Sequence, residues 1–121
     1  MQETFKSLQT LSNLYEGDNT LSETALKYQQ EQSPIHFAHI FCKLYPYLKT
    51  QSDKYFYLTE EDKTSFVLEE LNKALLAYDP SKGAQVQTLV SIYVNNRLRM
   101  ETQQLQHHKR CVITPLKVMM S

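Results

Sequence analysis

The stretch Leu71-Asn72-Lys73-Ala74-Leu75-Leu76-Ala77-Tyr78-Asp79-Pro80-Ser81-Lys82-Gly83-Ala84-Gln85-Val86-Gln87-Thr88-Leu89-Val90-Ser91-Ile92-Tyr93-Val94-Asn95-Asn96-Arg97-Leu98-Arg99 decides how this chain folds. Its first part sets Leu71, Ala74, Leu75 and Tyr78 at spacings of three and four, the period of one apolar helix face. Asp79-Pro80-Ser81-Lys82-Gly83 breaks that period, because proline cannot continue a helix and aspartate and glycine suit a tight turn. Val86, Leu89, Val90, Tyr93, Val94 and Leu98 resume helical spacing, so a second helix is expected from about Gln85 to about His108.

Upstream, Thr59-Glu60-Glu61-Asp62 opens the first of these helices with a capping hydroxyl and carboxylates where the helix dipole favours them. Tyr55-Phe56-Tyr57-Leu58 has no partner strand elsewhere and is expected to be an aromatic connector packed under the helices. Ser33-Pro34 is an N-cap followed by proline at the first helical position. The segment it starts is densely apolar (Phe37, Ala38, Ile40, Phe41, Leu44, Tyr45, Tyr47, Leu48), as a central helix should be. Pro46 removes one backbone hydrogen bond there, and a kink near Tyr45 is expected. Thr20-Leu21-Ser22-Glu23 reads as a capping box for a helix carrying Leu21, Ala25, Leu26 and Tyr28. Phe5, Leu8, Leu11 and Tyr15 mark a first helix from about Gln2 to Tyr15, broken by Glu16-Gly17-Asp18-Asn19. The expectation is an all-α protein, a compact bundle of about four to five helices. Residues 1–32 form an N-terminal helical extension, residues 33–110 the main domain, and residues 111–121 a tail that frays or docks.

Composition agrees. Two glycines and four prolines are too few for a turn-rich β architecture. No run of 18 apolar residues is present to span a membrane, and the N-terminus lacks the basic-then-apolar pattern of a secretory signal. Cys42 and Cys111 stand far apart, and in a cytoplasmic protein they are expected as reduced thiols. Charge is sorted along the chain. Residues 1–80 hold 12 acidic and 7 basic side chains, whereas after Asp79 Glu101 alone faces Lys82, Arg97, Arg99, Lys109, Arg110 and Lys117. Such sorting suits two faces, the basic one toward a polyanion; it also arises when a helix merely solvates one side.

No enzyme is expected, and no cofactor. Two glycines cannot build a phosphate loop. His36, His39 and Cys42 imitate a metal face, but Phe37, Ile40 and Phe41 crowd the same helix, so no metal site is expected. His107 and His108 belong more naturally to the basic patch with Lys109 and Arg110. The informative chemistry lies on the last helix, where Gln87, Thr88, Ser91, Asn95 and Asn96 accompany Tyr93, Arg97 and Arg99. Bases stack on aromatic faces, amides and hydroxyls read base edges, and guanidinium groups hold phosphates. The composition fits opened or single-stranded DNA; equally, Tyr93 fits a core position and the polar residues a solvated face.

The pattern Ala74-x-x-x-Tyr78-Asp79-Pro80-x-x-Gly83, followed by Thr88 and by Asn96-Arg97-Leu98-Arg99-x-Glu101, resembles region 2 of the bacterial RNA polymerase sigma factors. Leu71 and Asp62 fall in the same register, and the last run is similar to small phage-type and conjugative-element members. The likeness covers roughly residues 33 to 110. It implies that one helix binds the clamp helices of the core polymerase β′ subunit, here through Asp62, Glu69, Asn72 and Lys73. It implies that the next captures bases of the promoter non-template strand, AT-rich near the start site. On this chain that role falls to Gln87, Thr88, Ser91, Tyr93, Asn95, Asn96, Arg97 and Arg99, with Lys109 and Arg110 on phosphates. Melting would be driven by the binding of captured bases. The chain departs from the family at four points. Ile92 and Tyr93 stand where the family has its tryptophan pair, Ser65 and Phe66 where it has Gln-Glu, and Asn95 where it has an arginine. No helix-turn-helix of the region 4 kind follows Arg110, so the chain is expected to be a fragment, a split sigma factor with a separate protein supplying region 4, or a relative with a changed role. Two other readings stand beside this one: a sigma-like interaction protein that binds polymerase or a regulator without reading DNA, and an unrelated helical bundle.

Overall fold

The structure, a computed structural model, describes residues 1–17 and 19–120, with side chains described as far as Gln106. Among the described residues the architecture is all-α: α1 (Gln2–Ser12), α2 (Leu21–Glu31), α3 (Pro34–Asp53), α4 (Glu60–Ala77) and α5 (Val86–Met120), with a short 3-10 turn at Pro80–Lys82. The start signals act as their chemistry requires. The Thr20 hydroxyl accepts from the Glu23 N–H at 3.2 Å, Ser33 Oγ from Ile35 N–H at 3.3 Å, and Thr59 Oγ1 from Asp62 N–H at 3.1 Å. Each satisfies one of the amides that a helix start leaves without an internal partner.

The core is built where α3, α4 and α5 meet. Ile40, Phe41, Leu44 and Leu48 of α3, Val67, Leu71, Ala74 and Leu75 of α4, and Val86, Val90, Val94 and Leu98 of α5 are all buried, with Ala25 of α2 added at the edge. Burying each of the larger side chains contributes about 1.5–3 kcal/mol, which is what holds helices of modest intrinsic stability together. α1 has no fully buried residue; it is fixed to α3 through Phe5, whose ring stacks on Tyr45 with centroids 4.1 Å apart. α2 is tied to α4 by polar bonds as well as packing. Gln29 Nε2 donates to the carbonyls of Leu75 and Tyr78, satisfying groups that the end of α4 leaves open.

Three local expectations are corrected. The first helix ends at Ser12 rather than Tyr15, because Tyr15 leaves it to stack on His39 (4.0 Å) and to bond Thr24 of α2 through its hydroxyl at 3.1 Å. α3 continues from Pro34 to Asp53 through Pro46, in keeping with the expectation that this proline removes a hydrogen bond without ending the helix. The connector is only half packed: Leu58 is buried and Tyr55 partly so, while Phe56 is 75% and Tyr57 49% exposed. α5 extends past His108 to Met120, where a tail was expected.

The turn between α4 and α5 fixes how the last two helices present themselves. The Asp79 carboxylate accepts from the Ser81 N–H at 2.9 Å and the Ser81 hydroxyl at 2.7 Å. Those two bonds hold its pKa below the usual carboxylate value. Gly83 closes the turn at φ +78°, a conformation that side chains with a Cβ rarely take.

Candidate nucleic-acid interface

With Val90, Val94 and Leu98 turned inward, the helical period leaves Thr88, Ile92, Asn96, Arg99 and Gln103 along the outer side of α5, and all five are exposed. This stripe carries amides, a hydroxyl, one guanidinium and the half-exposed Ile92, and no carboxylate. Gln87 is exposed at its start. Arg99 Nη2 donates to Asn96 Oδ1 at 2.9 Å, which orients the pair on one patch.

The other expected DNA contacts are turned to internal use. Tyr47 of α3 donates its hydroxyl to Ser91 Oγ, and Asn95 Nδ2 donates to the same oxygen at 3.2 Å. The Tyr55 hydroxyl lies 3.4 Å from both the carbonyl and the side-chain oxygen of Asn95. Ser91 and Asn95 thus tie α5 to α3 and the connector. Tyr93 is half-buried against the core on the opposite flank.

Arg97 departs furthest from the sequence-based role. Its Nη1 donates to Glu69 Oε2 at 3.0 Å and Glu70 Oε2 at 2.9 Å, and its Nε donates to Glu101 Oε1 at 2.9 Å. The guanidinium also lies 4.5 Å from the centre of the Phe66 ring. Burial alone would weaken its hold on the proton, but the hydrogen bonds to Glu101, Glu70 and Glu69 outweigh that and hold its pKa above the ordinary arginine value. A guanidinium with three carboxylates and an aromatic face around it is a clamp between α4 and α5. It offers little to a phosphate. Lys109 and Arg110, expected on phosphates, lie outside the residues whose side chains the structure describes, as do His107, His108 and Cys111.

On α4 the expected polymerase contacts divide the same way. Asp62 is exposed in the first turn. Glu69 is exposed but engaged by Arg97, and Lys73 is exposed with its ammonium 3.1 Å from Glu70. Asn72 is half-buried, its Oδ1 accepting from the Tyr28 hydroxyl at 2.6 Å, so α2 partly covers it. The residues that sequence reasoning missed are Phe66, Glu70 and Glu101. Glu101 was legible as an i,i+4 partner of Arg97. Glu70 and Phe66 were not, because they meet Arg97 only through the register of the α4–α5 pair.

The histidines of α3 serve packing. His39 stacks on Tyr15, His36 meets the same ring edge-on at 5.7 Å and lies 3.6 Å from Glu31, and no group of metal-ligating residues gathers among the described residues. Burial, then Lys43 and His36, lower the His39 pKa below the usual imidazole value. Among the described residues no helix is long and apolar enough to cross a membrane. The geometry therefore defines an all-helical bundle with one polar, carboxylate-free outer stripe. No family model, curated protein or solved structure matches the chain.

Proposed function

We propose that this chain is a transcription-initiation module of the sigma region 2 type. In this reading α4 meets the β′ clamp helices of core RNA polymerase, and α5 meets AT-rich promoter DNA near the start site. The observation that carries it is the outer stripe of α5, where Thr88, Asn96, Arg99 and Gln103 are exposed together while Glu101, the helix's sole acid, turns away into Arg97. A stripe of amides beside one cation suits base edges and a sparse set of phosphates. The Asp79-Pro80 turn and the sequence likeness around it support the same assignment. Base contact then rests on Gln87, Thr88, Asn96 and Arg99, with Ser91, Asn95 and Arg97 acting as the frame that holds α5 in place.

The second reading, an interaction protein that binds polymerase or a regulator without reading DNA, is favoured by one finding: Arg97, the cation nearest the middle of the expected DNA face, is held by three carboxylates. Two experiments separate the readings. Co-purification of the tagged chain with core polymerase is expected under the first reading and under the polymerase-binding form of the second, and its absence removes those two and leaves a regulator as the partner. Binding of a labelled single-stranded AT-rich oligonucleotide, stronger than that of the matching duplex, is expected under the first alone.

A further inference from the structure

The connector between α3 and α4 carries an aromatic pair that the core does not absorb. The Phe56 and Tyr57 rings stack with centroids 4.6 Å apart and planes 28° from parallel, and Phe56 is three-quarters exposed. The bend that carries them is anchored on both sides. Tyr55 reaches Asn95 of α5 through its hydroxyl, Leu58 is buried, and the Leu58 N–H donates to the Tyr55 carbonyl at 3.2 Å. Tyr55 thus ties the connector to the turn of α5 that carries Asn95 and, next in sequence, Asn96 of the outer stripe. A large ring held in water on an anchored bend is an unusual expense of apolar surface, and such surface commonly marks a contact site.

We propose, on the nucleic-acid reading of α5, that Phe56 is a stacking platform for one unpaired base of a single strand lying along Thr88, Asn96 and Arg99. Every base has a π face, so an aromatic platform accepts a strand without demanding a particular sequence. The charges nearby are compatible with a phosphate backbone. Lys54 is exposed immediately before the pair, Asp53 lies 3.5 Å from the Lys49 ammonium, and Glu60 lies 3.0 Å from that of Lys63. Glu61 and Asp62, exposed at the start of α4, disfavour a phosphate next to themselves.

The test uses fluorescence anisotropy of a labelled thymine-rich single-stranded 12-mer, and of the same 12-mer carrying central abasic sites. It is run on the full chain with Phe56→Ala, Phe56→Trp and the Asn96→Ala/Arg99→Ala pair, each checked for a native circular dichroism melt. Phe56→Ala is expected to weaken binding about tenfold or more, and to leave the weaker binding of the abasic strand unchanged. Phe56→Trp is expected to keep the affinity, and as the single tryptophan in a chain that has none its emission falls when a base stacks on it. If Phe56→Ala binds within about twofold of the wild type while the Asn96/Arg99 variant loses affinity, the platform is wrong and the α5 reading survives. Equal losses on the intact and abasic strands also overturn the platform, pointing to a contact other than a base. If the wild type binds no single strand, or binds the abasic one as tightly and without salt dependence, both the platform and the nucleic-acid reading fall in favour of a protein partner.

Discussion

Replacing Arg97 by alanine tests the clamp between α4 and α5. The substitution removes three charge-assisted hydrogen bonds of 2.9 to 3.0 Å and a cation held over the Phe66 ring. It leaves Glu70, whose side chain is 10% exposed, with Lys73 as its remaining ion-pair partner among the described residues, and Glu101, 22% exposed, without Arg97. Breaking a fully buried ion pair costs about 3–5 kcal/mol, and an exposed pair about 0–1 kcal/mol. Arg97 is itself 18% exposed and one of its carboxylates, Glu69, is 55% exposed, so the cost lies between the exposed and the buried figures. We expect a loss of about 2–3 kcal/mol, which for a chain of this size lowers Tm by roughly 6–12 °C. The measurement is urea and thermal denaturation followed by circular dichroism at 222 nm. Arg97→Lys is expected to recover less than half of the loss, because an ammonium cannot donate in the fork that reaches Glu69, Glu70 and Glu101 at once. A wild-type melt in Arg97→Ala would refute the clamp and return Arg97 to the list of residues available to a ligand.

Other perturbations probe the surrounding frame. Pro46→Ala should raise stability by about 1–2 kcal/mol in the same assay: alanine restores the amide that Pro46 lacks within α3, and the freedom gained by the unfolded chain offsets part of the gain. A destabilised Pro46→Ala would show that α3 depends on the proline. His39 provides a pH dependence. Its folded pKa lies below the 6.5 of the free side chain, so the unfolded chain takes the proton first, and stability falls as pH drops below about 6.5 toward the folded value. The groups around it are Tyr15 from the α1–α2 loop, and His36 and Lys43 on α3, with Glu31 of α2 next to His36. His39→Gln should flatten that part of the curve of melting temperature against pH; an unchanged slope would assign it to other groups.

How far the sequence carried this account depends on the range of the interaction involved. Thr20, Ser33-Pro34, Thr59 and Asp79-Pro80 mark their element boundaries because capping and turn formation are settled within a few residues. The apolar stripes of α3, α4 and α5 are likewise local, and their buried faces were legible from spacing alone. Tyr15 misled because a residue that continues an apolar period can instead be drawn out of the helix by a distant partner, here His39 and Thr24. The interface was harder. A polar residue on a helix can face solvent or a neighbouring helix, and only packing decides which. Ser91 and Asn95 are taken by Tyr47 and Tyr55, more than 30 positions away, and Arg97 by Glu69 and Glu70, equally invisible in a linear pattern. Asn96 and Arg99 remain outside because no element crosses their side of α5 among the described residues. Phe56 shows the opposite failure, since an aromatic run was expected to pack and the bend turned half of it outward.

Contact between the outer edge of α5 and nucleic acid is tested most directly by the salt dependence of oligonucleotide binding. Wild type and the Asn96→Ala/Arg99→Ala variant are titrated with the same AT-rich single strand across a range of potassium concentrations. The account predicts that the variant melts within about 0.5 kcal/mol of wild type, binds about tenfold or more weakly, and loses roughly 0.7 from the slope of log affinity against log salt, the share of one phosphate contact. A variant that binds as tightly as wild type with the same slope would contradict it.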